Sequence, residues 1–288
     1  MIAIRNALGS DRTDILDFCK NTFSWGDYID QVWDLWVNDS TGQLFVAESM
    51  WRRVGLAHAA VCPGAGDVWL EGIRVHQDYR RAGVANALIE KMLRFGRQKG
   101  AAGALAIVAA DNAPSQNLME RNGFSVISSW SYYATNSPQR IGSTSARVAI
   151  KGDLPEILDY LGNSKIYEQS AKKYVESWRW YPLDATAIKM LVENKRLIVA
   201  GSPLAGIAVI NREGYWERKN VLQLLYLDSE CEKILDELVA YAVGVFADGR
   251  YERLQVLFPQ DGRIAEAARR FGLKESEQFL LYRKVFTG

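Results

Sequence analysis

A basic turn that contains a glycine, residues 80–86 (RRAGVAN), carries the most chemical content in the sequence. An apolar segment, residues 69–75, precedes this turn, and an amphipathic segment follows it. Unpaired N–H groups and the positive end of the helix dipole make a helix start a site for anions. Gly83 permits backbone angles closed to other residues, and Arg80 and Arg81 add positive charge. We therefore predict a pyrophosphate site here; the alternative is a helix start flanked by solvated arginines.

The elements that would position this turn follow from hydrophobic periodicity and turn residues. Strands are predicted at residues 2–7, 44–49, 54–61, 69–75, 104–110 and 124–133. Helices are predicted at residues 12–21, 28–37, 84–99 and 114–122. This order predicts a mixed central β-sheet flanked by helices, an α/β (α+β) fold, and no doubly wound sheet.

The chain also repeats itself, which predicts its domain organisation. Residues 4–17 (IRNALGSDRTDILD) match residues 146–159 (ARVAIKGDLPEILD), and three further matches follow in the same order. Asp11 and Asp153 are predicted to cap the first helix of each copy. Because neither half shows an obvious closing strand after Tyr133 or Phe286, the halves could complete each other's sheets.

Two tandem domains of one kind are therefore expected. The first spans residues 1–135, a polar linker spans residues 136–145, and the second spans residues 146–288. The second copy has no glycine turn after its matching strand, and Glu230 and Glu232 stand where arginines would be expected. Two carboxylates at a helix start would repel a pyrophosphate. We predict that the second domain does not bind the same anion.

Two motifs resemble the GCN5-related N-acetyltransferase (GNAT) superfamily, in a tandem form with a degenerate second copy. Residues 80–85 (RRAGVA) resemble its Gln/Arg-x-x-Gly-x-Gly/Ala signature. Residues 112–124 (NAPSQNLMERNGF) match its second landmark at Asn112, Leu118, Gly123 and Phe124. The competing dinucleotide fingerprint fails, because no G-x-G-x-x-G follows any predicted strand.

The resemblance implies acetyl-CoA as co-substrate, held between the strands at residues 69–75 and 104–110 where these separate. Backbone groups of residues 73–75 would pair with the pantetheine arm, and the N–H groups of the turn would hold the pyrophosphate. The residues so assigned are Ile73, Arg74, Val75, Arg80, Arg81, Ala82, Gly83, Val84, Ala85, Asn86, Asn112 and Ser115.

The implied reaction is direct attack of a primary amine on the thioester, which needs a base, or a water chain, to deprotonate the ammonium and dipoles to stabilise the oxyanion. Glu71 is the predicted base. Because side chains alternate along a strand, it is expected on the same face as residues 73 and 75. The alternative is that Glu71 is a solvated carboxylate. Glu48 is the second choice. The tyrosine that the family often uses as acid is replaced by Met119, which cannot donate a proton. Either the thiolate leaves through solvent, or another donor serves, for which Tyr132 and Tyr133 are the candidates.

The resemblance places acceptor recognition between the first two helices. Trp25, Asp27 and Tyr28 are loop-like, and aromatic rings beside an acidic group suit a cationic amine of a small molecule or peptide. A loop packed on its own domain is the alternative. Trp33 and Trp36 have helical spacing and are predicted to be core residues.

The composition bears on the binding partners, the cellular compartment and metal sites. A net charge of +1 gives no reason to propose a nucleic-acid partner. Three cysteines without a CxxC pair indicate a reducing compartment, and no apolar run approaches a membrane span, so we expect a cytoplasmic protein without membrane partner. Only two histidines occur, and no metal site is expected. The oligomeric state stays undetermined. A non-catalytic acyl-CoA sensor and a purely structural tandem protein are the competing functions.

Overall fold

The structure is a computed structural model that describes residues 2–20, 22, 26–62, 64, 66–216 and 218–287. The chain forms two compact units. Unit 1 comprises residues 1–108, 112–126 and 282–288, and unit 2 comprises residues 109–111 and 127–281. Each unit thus contains a segment from the other half of the chain, as the missing closing strands suggested. The boundaries at residues 135 and 146 stay a prediction drawn from the sequence repeat.

Unit 1 contains a mixed sheet with helices between its strands. Its elements are β1 (Ile2–Asn6), α1 (Arg12–Cys19), α2 (Ile29–Val37), β2 (Gly42–Ser49), β3 (Arg52–Val61), β4 (Asp67–Val75), α3 (Val84–Gln98), β5 (Gly103–Ala109) and α4 (Ala113–Arg121). Strands β1 to β4 pair antiparallel in chain order, and β4 pairs parallel with β5. Residues 282–285, the end of the last strand, follow β5 in the strand order.

Unit 2 repeats this plan. Its elements are β6 (Ser125–Thr135), β7 (Arg147–Val148), α5 (Leu154–Asn163), α6 (Lys165–Gln169), β8 (Lys173–Glu176), β9 (Arg179–Pro182), α7 (Ala185–Glu193), β10 (Leu197–Ala200), β11 (Gly206–Asn211), β12 (Val221–Asp228), α8 (Glu232–Phe246), β13 (Arg253–Pro259), α9 (Gly262–Arg270) and β14 (Lys274–Val285). The strand order is β14-β6-β13-β12-β11-β10-β7, and β12 pairs parallel with β13. Strands β8 and β9 form a separate hairpin. The predicted mixed α/β fold is confirmed.

The repeat extends to individual side chains. In each copy an arginine of the first strand donates two hydrogen bonds, of 2.7 and 2.8 Å, to an aspartate before the first helix: Arg5 to Asp11 and Arg147 to Asp153. Each aspartate also accepts a hydrogen bond from the backbone N–H three residues earlier. The predicted capping of α1 and α5 by these side chains is wrong, because a 3₁₀ turn precedes each helix and the carboxylate closes that turn.

Candidate active site

Strand β4 carries a β-bulge at the centre of the predicted site. The register of β3 against β4 shifts between Leu56 and His58, so that two residues of β4 oppose one residue of β3. Gly72 lies in the bulge with φ of +66°, in the left-handed region that favours glycine. A Cβ on Gly72 would lie 2.5 Å from the ring of Trp36. The backbone angle and the close ring both require glycine here.

The bulge decides which way Glu71 faces. Residues directly opposite each other on antiparallel strands share a face, and Glu71 pairs with His58 while Arg74 pairs with Leu56. Glu71 and Arg74 therefore lie on one face, although they are three residues apart. The predicted shared parity of Glu71 with residues 73 and 75 is wrong, because the extra residue in the bulge breaks the period of two.

Glu71 is a mostly buried carboxylate with a donor group near each oxygen. Its side chain is 13% exposed, and Oε1 lies 2.9 Å from Nδ1 of His58. The indole N–H of Trp69 donates to Oε2 at 3.0 Å. A carboxylate oxygen that accepts one hydrogen bond still has a second lone pair with which to accept a proton. The alternative candidate, Glu48, is ion-paired with Arg5 at 3.0 Å.

Strands β4 and β5 separate partway along their length. Their parallel pairing runs from Asp67 opposite Gly103 to Trp69 opposite Leu105. The rest of β4, through Val75, continues beyond this pairing. On its other edge β4 remains paired with β3 as far as Val75. The residues of β4 nearest the bulge therefore border an opening in the sheet, as the family resemblance implies.

The connection from β4 to α3, residues 76–83, is shaped to present backbone N–H groups. Arg81 and Gly83 have φ of +63° and +82°. The first hydrogen bond of α3 runs from Ala87 N–H to Gly83 C=O at 3.0 Å. The N–H groups of the preceding helical residues have no acceptor within the helix: Val84, Ala85 and Asn86.

The electrostatics of this turn favour an anion. The first turn of α3 contains no acidic residue, and Arg80, Arg81 and Ala82 are exposed. Gly83 is also exposed, and a Cβ there would meet nothing within 4 Å, so there is room for a ligand. The predicted pyrophosphate residues thus lie together in one turn.

The start of α4 carries the second landmark. Asn112 is its N-cap, and the Asn112 side chain accepts a hydrogen bond from the backbone N–H of Ser115 at 3.1 Å. At the other end of α4, Asn122 donates to the side chain of Asn86 at 3.0 Å. The end of α4 is therefore tied to the first turn of α3.

The predicted acceptor residues lie next to the β4 bulge. Arg74, 11% exposed, donates to Asp27, 4% exposed, at 2.7 and 2.9 Å. The Arg74 guanidinium also lies 5.1 Å from the centre of the Tyr28 ring. Burial raises the pKa of Tyr28, with Glu71 among the charges acting on it. Trp25, the third predicted residue, is outside the described residues.

Both candidate proton donors, Tyr132 and Tyr133, lie in unit 2. Met119, at the position of the family's tyrosine, is buried in α4 of unit 1. Tyr132 and Tyr133 lie on β6 in unit 2, where their hydroxyls accept hydrogen bonds from Gln255 at 2.8 Å and Arg269 at 2.9 Å. Burial raises the pKa of both tyrosines, so both keep their protons at neutral pH. Their role as donor stays a prediction.

The matching connection in unit 2 is much shorter. Strand β12 ends at Asp228 and α8 begins at Glu232, so only residues 229–231 link them. Cys231 precedes the helix with φ of −100°, and Glu232 lies in its first turn. The buried Asp228 carboxylate at the end of β12 accepts hydrogen bonds from the hydroxyls of Tyr160, Ser164 and Tyr226. This geometry supports the prediction that unit 2 has no pyrophosphate turn.

Sequence reasoning assigned no functional role to His58 or to Asp39. His58 lies on β3 with its side chain fully buried, and its Nε2 lies 3.4 Å from Oδ2 of Asp39. The Trp36 ring stacks on the His58 ring with centroids 4.8 Å apart, which also confirms that Trp36 is a core residue. A histidine within an apolar strand, RRVGLAHAAV, was the available signal.

The described part of the chain holds neither a metal cluster nor a membrane-spanning helix. No group of three or more His, Cys, Asp or Glu in the described ranges is arranged to hold a metal ion. Among the same residues, no helix combines the length and apolarity needed to cross a membrane.

Comparisons with known proteins agree with this geometry. The model of the Acetyltransferase (GNAT) family matches residues 10–124, which include the bulge, the β4–α3 turn and α4. No curated protein matches the sequence. The solved structures that the chain matches over 99% of its length, at low sequence identity, include three GNAT proteins. They are a GCN5-related N-acetyltransferase from Sphaerobacter thermophilus (TM-score 0.64, 13% identity, 95% of that chain), a tandem GNAT protein from the clavulanic acid biosynthesis pathway (0.57, 12%, 98%) and a GNAT-family acetyltransferase from Colwellia psychrerythraea (0.52, 12%, 100%).

At these sequence identities the matches to solved structures establish the fold alone. The match to the family model covers residues 10–124. The chain therefore has the fold of a tandem GNAT protein, and its residues 10–124 match the model of the Acetyltransferase (GNAT) family.

Proposed function

We propose that unit 1 is an N-acetyltransferase that moves an acetyl group from acetyl-CoA to a primary amine of a small molecule or peptide. The observation that carries this proposal is the turn from β4 to α3. Its N–H groups, which have no acceptor within the helix, stand at the end of a strand that has separated from its parallel neighbour. A diphosphate at the helix start and an extended thioester arm along β4 match these two features.

The remaining predicted residues have a place in this arrangement. The pantetheine arm would pair with the backbone of Ile73, Arg74 and Val75, along the edge of β4 that β5 leaves open. Asn112 and Ser115, at the start of α4, would line the arm after β5. Arg80 and Arg81 would add charge beside the pyrophosphate.

The chemical step would use Glu71 as base. The ammonium of the acceptor passes a proton to a Glu71 oxygen, and the neutral amine then attacks the thioester carbonyl carbon. A backbone N–H near Val75 would stabilise the oxyanion. As the C–S bond breaks, the thiolate leaves and takes a proton from solvent.

The acceptor would enter over Tyr28, which lies on the Glu71 side of the bulge. Asp27 already neutralises the buried Arg74, so we assign it to holding the loop before α2 and not to contact with the amine. Recognition of the cation would then depend on the Tyr28 ring and the Glu71 charge.

The test measures the affinity for acetyl-CoA by isothermal titration calorimetry and compares the variant Gly83→Glu with the control variant Gly100→Glu. Gly100, at the other end of α3, has φ of +79°, and a Cβ there would meet nothing within 4 Å, so the two variants share backbone strain and added charge. We expect Gly83→Glu to weaken binding at least about 100-fold, corresponding to roughly 3 kcal/mol of charge-assisted hydrogen bonds. Equal affinities of the two variants would refute the site.

Turnover is then measured as free thiol released from acetyl-CoA over a panel of primary amines. Release that depends on the amine supports the transferase. The buried Met119 in place of a tyrosine favours a second function, an acyl-CoA sensor without catalysis. Tight binding without thiol release over every amine would select that function.

A further inference from the structure

His58 is enclosed between two carboxylates inside unit 1. Its Nδ1 lies 2.9 Å from Oε1 of Glu71, and its Nε2 lies 3.4 Å from Oδ2 of Asp39. The His58 side chain has no exposed surface. The Trp36 ring covers one of its faces, at an interplanar angle of 1°. The imidazole is therefore held in one orientation by packing and by charge.

Asp39 is fixed from its other side. Its Oδ1 accepts hydrogen bonds from the backbone N–H and the hydroxyl of Thr41, both at 2.8 Å. Burial acts to raise the pKa of Asp39, but the contacts with His58 and Thr41 outweigh it and hold the pKa well below its usual range. Asp39 is therefore an anion at neutral pH, with Oδ2 turned toward the ring.

Gly42 leaves the space in which this contact forms. A Cβ on Gly42 would lie 2.5 Å from Oδ2 of Asp39 and 2.8 Å from Nε2 of His58. Its φ is outside the left-handed region, so the requirement for glycine is one of space.

We infer that His58, backed by Asp39, is a positioning residue that keeps Glu71 ionised and aimed at the acceptor amine. Within the described residues Nδ1 of His58 lies at hydrogen-bonding distance from Glu71, whereas Nε2 makes no hydrogen bond and faces the Asp39 carboxylate at 3.4 Å. An imidazole that attracts both carboxylates is one that carries a proton on each nitrogen. The resulting positive charge favours the ionised form of Glu71. His58 and Trp69 together fix the orientation of the Glu71 carboxylate toward the amine. This inference rests on the proposed role of Glu71 as base.

Two titratable groups near Glu71 add little net positive charge. Tyr28, before α2, is half-buried and neutral, because burial raises its pKa, and Arg74 is neutralised by two hydrogen bonds to Asp27. Trp36 from α2 and Trp69 from β4 carry no charge. The group next to Glu71 on β3 is His58, which is a cation when both of its ring nitrogens carry a proton.

The first test is ¹⁵N NMR of the full-length chain labelled at histidine. The chain has two histidines, so His76→Gln identifies the His58 signals by elimination. We expect a proton on both His58 nitrogens in the wild type at pH 7, because each nitrogen faces a carboxylate, and a proton on only one of them in Asp39→Asn. A single protonated nitrogen at pH 7 in the wild type would overturn the inference, and this readout needs no acceptor.

The second test is the pH dependence of kcat with the best amine of the panel. Without the neighbouring cation the buried Glu71 should hold its proton to higher pH. We expect the acid limb of His58→Gln to move up by about one unit, which is about tenfold in kcat on that limb. Its KM for acetyl-CoA should stay within about twofold, since His58 is not part of the turn.

Controls separate a structural defect from a shift in Glu71. Asp153→Asn, in unit 2, should leave the acid limb in place, and Asp39→Asn, which removes the charge behind His58, should move it in the same direction as His58→Gln. A lower kcat with an unmoved limb would make His58 merely structural. Full activity of Glu71→Gln would instead refute Glu71 as the base. If the wild type does not bind acetyl-CoA, the proposed function itself is refuted.

Discussion

Asp11 and Asp153 occupy the same position in the two copies, but their carboxylates differ in burial. The Asp11 side chain has no exposed surface, whereas that of Asp153 is 12% exposed. Asp11 is bound by Arg5 and also by Arg53 at 2.9 Å, whereas Asp153 has Arg147. The repeat therefore provides a matched pair in which one ion-pair motif is enclosed and the other is open.

We expect Asp11→Asn to lower the free energy of unfolding of unit 1 at pH 7 by about 2 kcal/mol, the scale of a hydrogen bond to a charged group. Asp153→Asn should have a smaller effect on unit 2, because solvent screens the exposed pair. Scanning calorimetry of both variants checks this. Equal shifts, or a larger shift for Asp153→Asn, would contradict the role of burial.

The same pair predicts an acid sensitivity. Burial raises the pKa of Asp11, but hydrogen bonds from Arg5 and Arg53 outweigh it and place the pKa well below its usual range. A group whose pKa is lowered by folding contributes stability above its unfolded pKa, about 3.9, and loses it as pH falls toward the folded pKa. Wild-type unit 1 should therefore lose stability below about pH 4 more steeply than Asp11→Asn does. Parallel pH profiles would refute this.

The buried pair of Arg74 and Asp27 should be structural. Asp27→Ala leaves a buried guanidinium without its partner, which we expect to cost about 3 kcal/mol in the free energy of unfolding. The double variant Asp27→Leu with Arg74→Met removes both charges and should recover much of that loss. Chemical denaturation of the singles and the double measures the coupling. Additive effects would show that the two charges act independently.

The sequence predicted the local elements well because their signals are local. The third helix was predicted at residues 84–99 and runs from Val84 to Gln98. The strand predicted at residues 54–61 begins two residues earlier, at Arg52. Periodicity and glycine turns lie within each segment, so no distant contact was needed to find them.

The contacts of the base could not be predicted in the same way. A regular register would place His58 opposite Gly72 and turn Glu71 to the other face of β4. The bulge moves the register by one residue, and its presence depends on Trp36 packing against Gly72 from another element. Likewise, the inclusion of β6 in unit 2 depends on long-range pairing with β13 that no local pattern specifies.

One acetyl-CoA should bind per chain. The connection at residues 229–231 is too short to form the turn seen at residues 76–83, and Glu230 and Glu232 flank the start of α8. Titration calorimetry should give a stoichiometry near one for the wild type and no remaining site in Gly83→Glu. Glu232→Arg should not create a second site, because the loop still lacks the N–H geometry. A stoichiometry of two would contradict this interpretation of unit 2.

Replacing Gly72 tests the bulge itself. Gly72→Ala and Gly100→Ala both place alanine at positive φ, which costs about 1 kcal/mol, but the methyl of the first also collides with the Trp36 ring. We expect Gly72→Ala to lower kcat strongly, because displacing the bulge or Trp36 misplaces Glu71 against His58. Gly100→Ala should keep the wild-type kcat, and its stability should fall only by the cost of alanine at a positive φ. Steady-state kinetics at saturating acetyl-CoA, with melting temperatures of both variants, measure the difference. Equal kcat values would mean that the bulge does not orient the base.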